Sequence, residues 1–197
     1  MSTDLDQLRT VAAGYLQGFR SLLDALDLDA VTVAVDALRR ARDGRDTIFI
    51  AGNGGSAATA AHLANDLGKA TRASGRQPIR VQCLSDNIPW FSALANDEGY
   101  DRVFVGQLEN FADAGDVLIV ISASGNSMNL VRAVEFAREN DVTTIGLLGF
   151  DGGVLREMVD HLLWVETEVG QYGPVESAHA VLADILTTCL IRDTATA

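Results

Sequence analysis

Two short loops rich in serine and glycine are the parts of this chain best suited to chemistry. Residues 52–56 (Gly-Asn-Gly-Gly-Ser) follow the apolar run 47–50, and residues 122–127 (Ser-Ala-Ser-Gly-Asn-Ser) follow the apolar run 117–121. Each loop stands where a buried strand should give way to a helix, and the first amides of a helix attract anions. Glycine lets the backbone approach a ligand, and serine adds hydroxyl donors. Because neither loop holds Lys or Arg, the pattern predicts a cradle of neutral donors for a phosphate group.

Two of the predicted helices also carry ionisable side chains at suggestive spacings. His62 and Asp66 lie at positions i and i+4 of the helix after the first loop, so they share one face. On the last helix, Glu176 and Asp184 lie off the apolar stripe, on the polar side. Imidazole and carboxylate groups are the usual side chains for proton transfer and for divalent metal ions.

The elements that must position these residues alternate between strands and helices. Continuous Val, Ile and Leu runs are typical of strands covered on both faces, hence of a parallel sheet. The predicted strands are 46–51, 79–84, 116–121, 142–148 and 161–165. The predicted helices are 56–71, 88–97, 100–112, 127–139 and 174–192. The pattern indicates an α/β fold with a doubly wound, parallel, five-stranded sheet.

A helical hairpin precedes the first strand. Leucines and aromatics recur at helical spacing from Leu5 to Leu26, and a second helix is expected to start at an Asp29 cap and to end near Gly44. We expect one domain, 1–197, with N-terminal helices at 1–44 and an α/β core at 45–197. The hairpin either caps the core or packs against another subunit, and the sequence leaves both interpretations open.

Composition excludes several classes of protein. The 197 residues carry a formal net charge of −12 and show no basic stripe, which argues against direct nucleic acid binding. Cys83 and Cys189 are isolated, so no disulfide framework or cysteine zinc site is expected. The first residues lack a basic segment, and no apolar run reaches membrane length. We therefore expect a soluble cytoplasmic protein with no membrane partner.

The first loop also fits a dinucleotide-binding fingerprint, Gly52-Asn53-Gly54-Gly55-Ser56-Ala57. However, no acidic residue ends the second strand, where ribose binding would require one. The P-loop pattern is absent, and neither nucleotide interpretation explains the second serine loop. We expect no nucleotide cofactor.

Taken together, the two loops resemble those of the SIS (sugar isomerase) domain family, and the closest branch is the phosphoheptose isomerases. The resemblance covers nearly the whole chain. The motifs that carry it are residues 52–58, Ala95-Asn96-Asp97-Glu98-Gly99-Tyr100, residues 121–127 and Asp151-Gly152-Gly153. The family implies a flavodoxin-like sheet, binding of a sugar phosphate, and homo-oligomers, usually tetramers, whose active sites are shared between subunits.

The resemblance also assigns expected roles to single residues. It places the phosphate on four serines and the sugar beside Asn53, with Asp97 bonding sugar hydroxyls or positioning a catalytic group. The expected substrate-binding residues are Asn53, Gly54, Gly55, Ser56, Ser122, Ser124 and Ser127.

Three site positions depart from the family pattern. His62 matches a family active-site histidine, whereas Asp66 stands where phosphoheptose isomerases carry a catalytic Glu. Glu176 stands where the resemblance implies a Gln in that branch, and Asp184 stands where it implies a catalytic His. His179 is retained, one turn after Glu176. The phosphate site is therefore better supported than heptose isomerase activity itself.

Two chemistries remain open for this altered site. Aldose–ketose isomerisation needs a base that shuttles a proton between adjacent carbons, which Asp66, Glu176 and Asp184 would supply if they converge. Alternatively, these three residues and His62 would hold zinc or a similar divalent ion, which would polarise the sugar carbonyl. The function expected is phosphosugar isomerisation, with a non-catalytic phosphosugar-binding regulator or adaptor as the alternative.

Overall fold

The structure, a computed structural model, describes residues 2–193. Its helices are α1 (Ser2–Asp24), α2 (Leu28–Gly44), α3 (Gly55–Lys69), α4 (Ile88–Asp97), α5 (Val105–Phe111), α6 (Met128–Glu139) and α7 (Tyr172–Arg192). Its strands are β1 (Thr47–Gly52), β2 (Arg80–Cys83), β3 (Val117–Ser122), β4 (Thr143–Leu148) and β5 (His161–Trp164). The strands form one sheet in the order β2-β1-β3-β4-β5, and every pairing is parallel. The predicted doubly wound, flavodoxin-like sheet is confirmed.

Helices cover both faces of the sheet, as the continuous apolar runs predicted. All six residues of β3 are buried, and alternate residues along it enter different cores. Ile119 joins the core formed with α2, α3 and α7, whereas Val120 joins the core formed with α4, α5 and α6. A strand at the centre of two cores cannot alternate apolar with polar residues, which explains its unbroken Val-Leu-Ile sequence.

The N-terminal hairpin contributes unequally to these cores. In α2, Val31, Leu38 and Ala41 are buried against the sheet. In α1, by contrast, Leu5, Leu8 and Val11 are 66%, 59% and 65% exposed within the single chain. Capping of the core therefore accounts for α2 but leaves the apolar residues of the first half of α1 uncovered.

Most predicted boundaries shift by one or two residues in the structure, and two predictions about the helices need a further correction. The N-cap of α2 is Asp27, whose Oδ1 accepts hydrogen bonds from the amides of Asp29 at 2.9 Å and Ala30 at 3.0 Å, so Asp29 lies inside the first turn. The predicted helix 100–112 is split into a short 3₁₀ turn at Tyr100–Arg102 and α5. Tyr100 is held at the start of that turn by a hydrogen bond to the first serine loop.

Within residues 2–193, α7 is the helix that is long and apolar enough to span a membrane by length and composition. Its apolar residues are buried in the core, where Val175, Leu182 and Leu186 pack under the sheet. The apolar character of α7 is therefore explained by its position as a core helix.

Candidate functional site

The two serine loops meet at the carboxyl edge of the sheet. Because β1 and β3 are parallel neighbours, the loops that follow them emerge side by side. Between them lies a cavity of about 170 Å³. It is lined by Asn53, Ser56, Ile121, Ser122, Ala123, Ser124, Ser127, Leu130, Tyr172 and Glu176. The four serines expected at the phosphate therefore line one small cavity.

The first loop turns sharply onto α3. Gly54 adopts φ 54° and ψ −122°, a conformation that side chains disfavour. A Cβ at Gly52 would lie 2.6 Å from the carbonyl oxygen of Ser56, so glycine is also needed there. This turn buries Ser56 in the first turn of α3. The Ala57 and Ala58 amides bond to the Gly54 carbonyl, whereas the amides before them precede any helical acceptor.

The second loop presents its hydroxyls in a similar way. Ser122 Oγ accepts a hydrogen bond from the Gly125 amide at 3.0 Å, and Ser124 Oγ accepts one from the Asn126 amide at 3.3 Å. Each hydroxyl that accepts still has its own proton to donate. Ser127 is the N-cap of α6, and its side chain makes no capping hydrogen bond within the described chain. The loop thus keeps hydroxyl donors available for an anion.

The segment Asp151-Gly152-Gly153 supports the second loop from behind. The Leu155 amide donates to the Gly125 carbonyl at 3.0 Å, and the Val154 amide donates to Asn126 Oδ1 at 3.0 Å. A side chain at Gly125, which has φ 64°, would collide with the Gly152 carbonyl. Glycine is therefore needed at position 125, because it allows the second loop to approach the segment Asp151-Gly152-Gly153 closely.

A carboxamide pair joins the two loops across the cavity. Asn53 Nδ2 donates to Asn129 Oδ1 at 2.9 Å, and Asn129 Nδ2 donates to Asn53 Oδ1 at 2.9 Å. The Tyr100 hydroxyl also donates to Asn53 Oδ1, at 2.9 Å. Sequence reasoning missed Asn129, whose signal was a polar residue in the first turn of a helix directly after Ser127.

Asp97 lies outside the serine cavity of the single chain. It is exposed at the end of α4, where its Oδ1 accepts a hydrogen bond from Asn96 Nδ2 at 2.7 Å. It is not among the residues that line the serine cavity in this chain. Any contact between Asp97 and a sugar would therefore have to lie beyond the cavity mouth or across a subunit boundary.

His62, Asp66 and Asp184 come together on the surface between α3 and α7. His62 Nε2 lies 3.2 Å from Asp66 Oδ2, and one ligand atom from each of the three residues lies within 4.8 Å of the others. The His62 side chain is 53% exposed. One imidazole and two carboxylates fit a divalent ion such as zinc, with coordination positions left for water or substrate.

Glu176 does not join that group within the described chain, which corrects the expected four-residue set. It lies eight residues before Asp184 on α7, a rise of about 12 Å. Its carboxylate instead lies against the start of α3, because a Cβ at Gly55 would be 2.6 Å from either of its oxygens. Glu176 therefore lines the serine cavity, and the carboxylates occupy two separate places.

His179 lies in the core beneath the cavity. It is fully buried, and neither ring nitrogen has a well-formed hydrogen bond within residues 2–193. Burial lowers the pKa of His179 to about 4, although the nearby Leu148 backbone partly offsets this effect. The ring is therefore neutral at physiological pH, and it is closed off from solvent.

Comparison with known proteins agrees with this geometry. The profile of the SIS domain family matches residues 14–149. The chain is 38% identical over 162 residues to a phosphoheptose isomerase of Mycobacterium tuberculosis, covering 82% of this chain and 81% of the relative. It is 39% identical over 156 residues to a phosphoheptose isomerase of Pelobacter propionicus, covering 78% and 80%.

A solved structure extends the similarity to three dimensions. The phosphoheptose isomerase of Neisseria gonorrhoeae superposes with a TM-score of 0.84 at 29% identity, covering 93% of this chain and 98% of that one. The similarity therefore includes the N-terminal hairpin region as well as the sheet. On the family profile, the identity to these relatives and the shared fold, the chain belongs to the SIS domain family, in its phosphoheptose isomerase branch.

Proposed function

We propose that this protein is a phosphosugar isomerase that interconverts the aldose and ketose forms of a sugar phosphate. The observation that carries the proposal is the serine cavity, in which four serines and the starts of α3 and α6 surround one small volume. Such a site binds a phosphate through neutral donors and helix N-termini. The names of the relatives supply the reaction class.

The distance between the two parts of the site suits a phosphosugar. His62 follows Ser56 by six residues on α3, a rise of about 9 Å. A phosphate held at the serines would place the rest of an extended sugar chain along the surface where α3 and α7 pack together. The carbonyl end of that chain would then reach the group formed by His62, Asp66 and Asp184.

The chemistry at the carbonyl end requires a base. One carboxylate would remove the proton from the carbon beside the carbonyl and return it to the neighbouring carbon. We assign this role to Asp66, which lies in the group of three, and give Asp184 the role of a neighbouring acid or ligand. Glu176 and Asp97 would contact sugar hydroxyls from positions nearer the phosphate and the cavity mouth.

A divalent metal ion at His62, Asp66 and Asp184 is the second element of the proposal. When bound, such an ion would polarise the sugar carbonyl and stabilise negative charge on its oxygen. The support is the approach of three N and O ligand atoms within 4.8 Å of one another. Zinc fits this mixed set, and Glu176 would complete the set only from another subunit.

A homotetramer in the cytoplasm completes the proposal. The apolar residues of α1 are uncovered in the single chain, and closed symmetric assembly would bury them. The exposed position of His62 supports a site completed by a neighbouring subunit. The net charge of −12 suits a soluble protein without a nucleic acid partner.

A non-catalytic phosphosugar-binding protein is the second candidate. Asp184 in place of the family's catalytic histidine favours it, because the imidazole that the resemblance implies for acid–base chemistry is missing at this position. This candidate shares the serine cavity and lacks the proton transfer.

The proposal is tested by incubating the purified protein with a set of aldose and ketose phosphates and following each mixture by NMR. We expect interconversion of at least one aldose–ketose pair, and no reaction of the same sugars without phosphate. Tight binding with no interconversion of any pair would favour the binding protein, and no binding at all would contradict both candidates.

A further inference from the structure

The hydrogen bonds of Asn53 leave its carboxamide with a single free group. Its Oδ1 accepts from Tyr100 and from Asn129, each at 2.9 Å, so both lone pairs of that oxygen are used. Its Nδ2 gives one proton to Asn129 Oδ1 at 2.9 Å. One N–H remains. Asn53 is therefore a donor, and not an acceptor, toward anything that enters the cavity it lines.

The partners of Asn53 differ in burial, since Asn129 is enclosed whereas Tyr100 is 55% exposed. Asn129 is 2% exposed and belongs to the first turn of α6, next to the N-cap Ser127. The ring of Tyr100 packs edge-on against Phe91, with ring centroids 5.9 Å apart. Three segments of the chain, the first loop, the start of α6 and the turn after α4, thus converge on one carboxamide.

We propose that Asn129 and Tyr100 are positioning residues that lock Asn53 as a hydrogen-bond donor to an acceptor oxygen of the bound phosphosugar. This inference rests on the proposed function and extends it to residues with no direct substrate contact. The oxygen that benefits most is one that gains negative charge during the reaction or carries it on the phosphate. A fixed N–H aimed at such an oxygen needs no reorganisation when the charge develops.

The lock has a physical purpose. A free carboxamide can rotate by half a turn and present its oxygen, which would repel a negatively charged ligand oxygen. Asn129 opposes that rotation, since a half-turn of Asn53 alone would bring Nδ2 against Asn129 Nδ2 and Oδ1 against Asn129 Oδ1. The Tyr100 hydroxyl, which donates to Oδ1, holds the carboxamide in position beside the cavity. Loss of either partner should therefore act on ligand binding and turnover through Asn53 and not through the fold.

A double-mutant cycle separates this role from a structural one. The variants are Asn53→Ala, Tyr100→Phe and Asn129→Leu, singly and in pairs with Asn53→Ala. The probe is a ketoheptose with a terminal phosphate, measured by kcat/KM and by calorimetric Kd. We expect Tyr100→Phe to lower kcat/KM about tenfold and Asn129→Leu to lower it by about a hundredfold, from the loss of one and of two hydrogen bonds. In the Asn53→Ala background neither change should cost more than about twofold, because nothing is left to position.

Controls distinguish the possible failures. Asn140→Leu makes the same substitution at the opposite end of α6, where the Asn140 side chain only bonds the Phe136 carbonyl, and should leave kcat/KM unchanged. Tyr100→Phe keeps the ring and its packing, so it stays informative if Asn129→Leu fails to fold. Losses that persist in the Asn53→Ala background, or a Tyr100→Phe protein with unchanged kcat/KM and Kd, would overturn the inference. A wild-type protein that neither binds nor converts this probe or any other phosphate in the set of aldose and ketose phosphates would overturn the proposed function and this inference with it.

Discussion

The carboxylate of Glu176 lies against Gly55, the first residue of α3, so closely that a Cβ at Gly55 would be 2.6 Å from either carboxylate oxygen. A negative charge thus lines the cavity that the serines prepare for a phosphate. The family resemblance implies a Gln at this position, so we expect the charge to distinguish this chain from that branch. We expect electrostatic repulsion between this carboxylate and an anionic ligand to weaken ligand binding.

Glu176→Gln should tighten binding of a phosphosugar. The substitution removes the repulsion between two negative groups in one cavity, which at a few ångströms and a solvent-accessible site is worth about 1 kcal/mol, or about fivefold in Kd. Calorimetry at low and high salt measures it, and the gain should shrink at high salt. Glu168→Gln, outside the cavity, is the matched control. Weaker binding by Glu176→Gln at both salt concentrations would show that the carboxylate attracts the ligand.

Ser124→Ala should weaken phosphosugar binding by about 1–3 kcal/mol, the range for one hydrogen bond to a charged group. Ser124 Oγ lines the cavity and keeps its proton for a ligand while accepting from Asn126. Titration calorimetry with a sugar phosphate and with the same sugar without phosphate provides the measurement. Ser21→Ala, on exposed α1, is the control. Equal affinity for both sugars in the wild-type protein would contradict a phosphate site at the serines.

The uncovered apolar residues of α1 predict an assembly larger than the 21.0 kDa chain, most simply a tetramer with two-fold axes. Leu8→Glu should dissociate it, because Leu8 is 59% exposed in the single chain and would be buried on assembly. Sedimentation at micromolar concentration measures the mass. Thr10→Glu makes a similar change on the opposite side of α1 and should leave the assembly intact. A wild-type monomer would contradict both the assembly and a shared site.

His179 should make the stability of the fold depend on pH between 6.5 and about 4. Its pKa in the folded protein is about 4, below the ordinary value of 6.5, so the unfolded chain binds a proton that the folded chain excludes. Stability contributed by the neutral ring is complete above pH 6.5 and is lost as the pH falls, by about 3 kcal/mol at pH 4.

Chemical denaturation between pH 7 and pH 4 tests this dependence. His179→Leu should flatten the profile in that window. The hydrogen bond from Arg42 lowers the pKa of Asp193 below its ordinary value of 3.8, so the loss from that carboxylate falls at more acidic pH. An identical slope in wild-type protein and His179→Leu would contradict the account of the buried ring.

Much of this architecture was readable from particular residues. The unbroken apolar sequence of β3 predicted a central strand, and its place beside β1 followed from the parallel, doubly wound pattern. The position of the two serine loops side by side could therefore be predicted from these two features of the sequence. The meeting of Asp184 with His62 and Asp66 followed the placement that the family implies.

Other features depend on contacts that no local pattern encodes. Asn129 gained its role from a partner 76 residues away, so its sequence context suggested only a helix start. Asp97 was predicted as a site residue from the motif at residues 95–100, and in the single chain it is exposed on α4. Eight residues of helix separate Glu176 from Asp184 by a rise of about 12 Å. The contact of the Glu176 carboxylate with Gly55, which keeps it apart from Asp184 in the single chain, depends on how α7 packs against α3.

We propose that this site moves a proton between adjacent carbons of a phosphosugar, with Asp66 as the base. The most direct measurement is deuterium incorporation from solvent at the carbon beside the carbonyl, followed by NMR, in wild-type protein and in Asp66→Asn. Metal content and chelator treatment are recorded for both proteins. The account predicts incorporation by the wild type, and its loss in Asp66→Asn with phosphosugar binding nearly unchanged, because the neutral serine cavity still holds the phosphate. Wild-type protein that binds phosphosugars without any incorporation, or Asp66→Asn protein that exchanges at the wild-type rate, would contradict it.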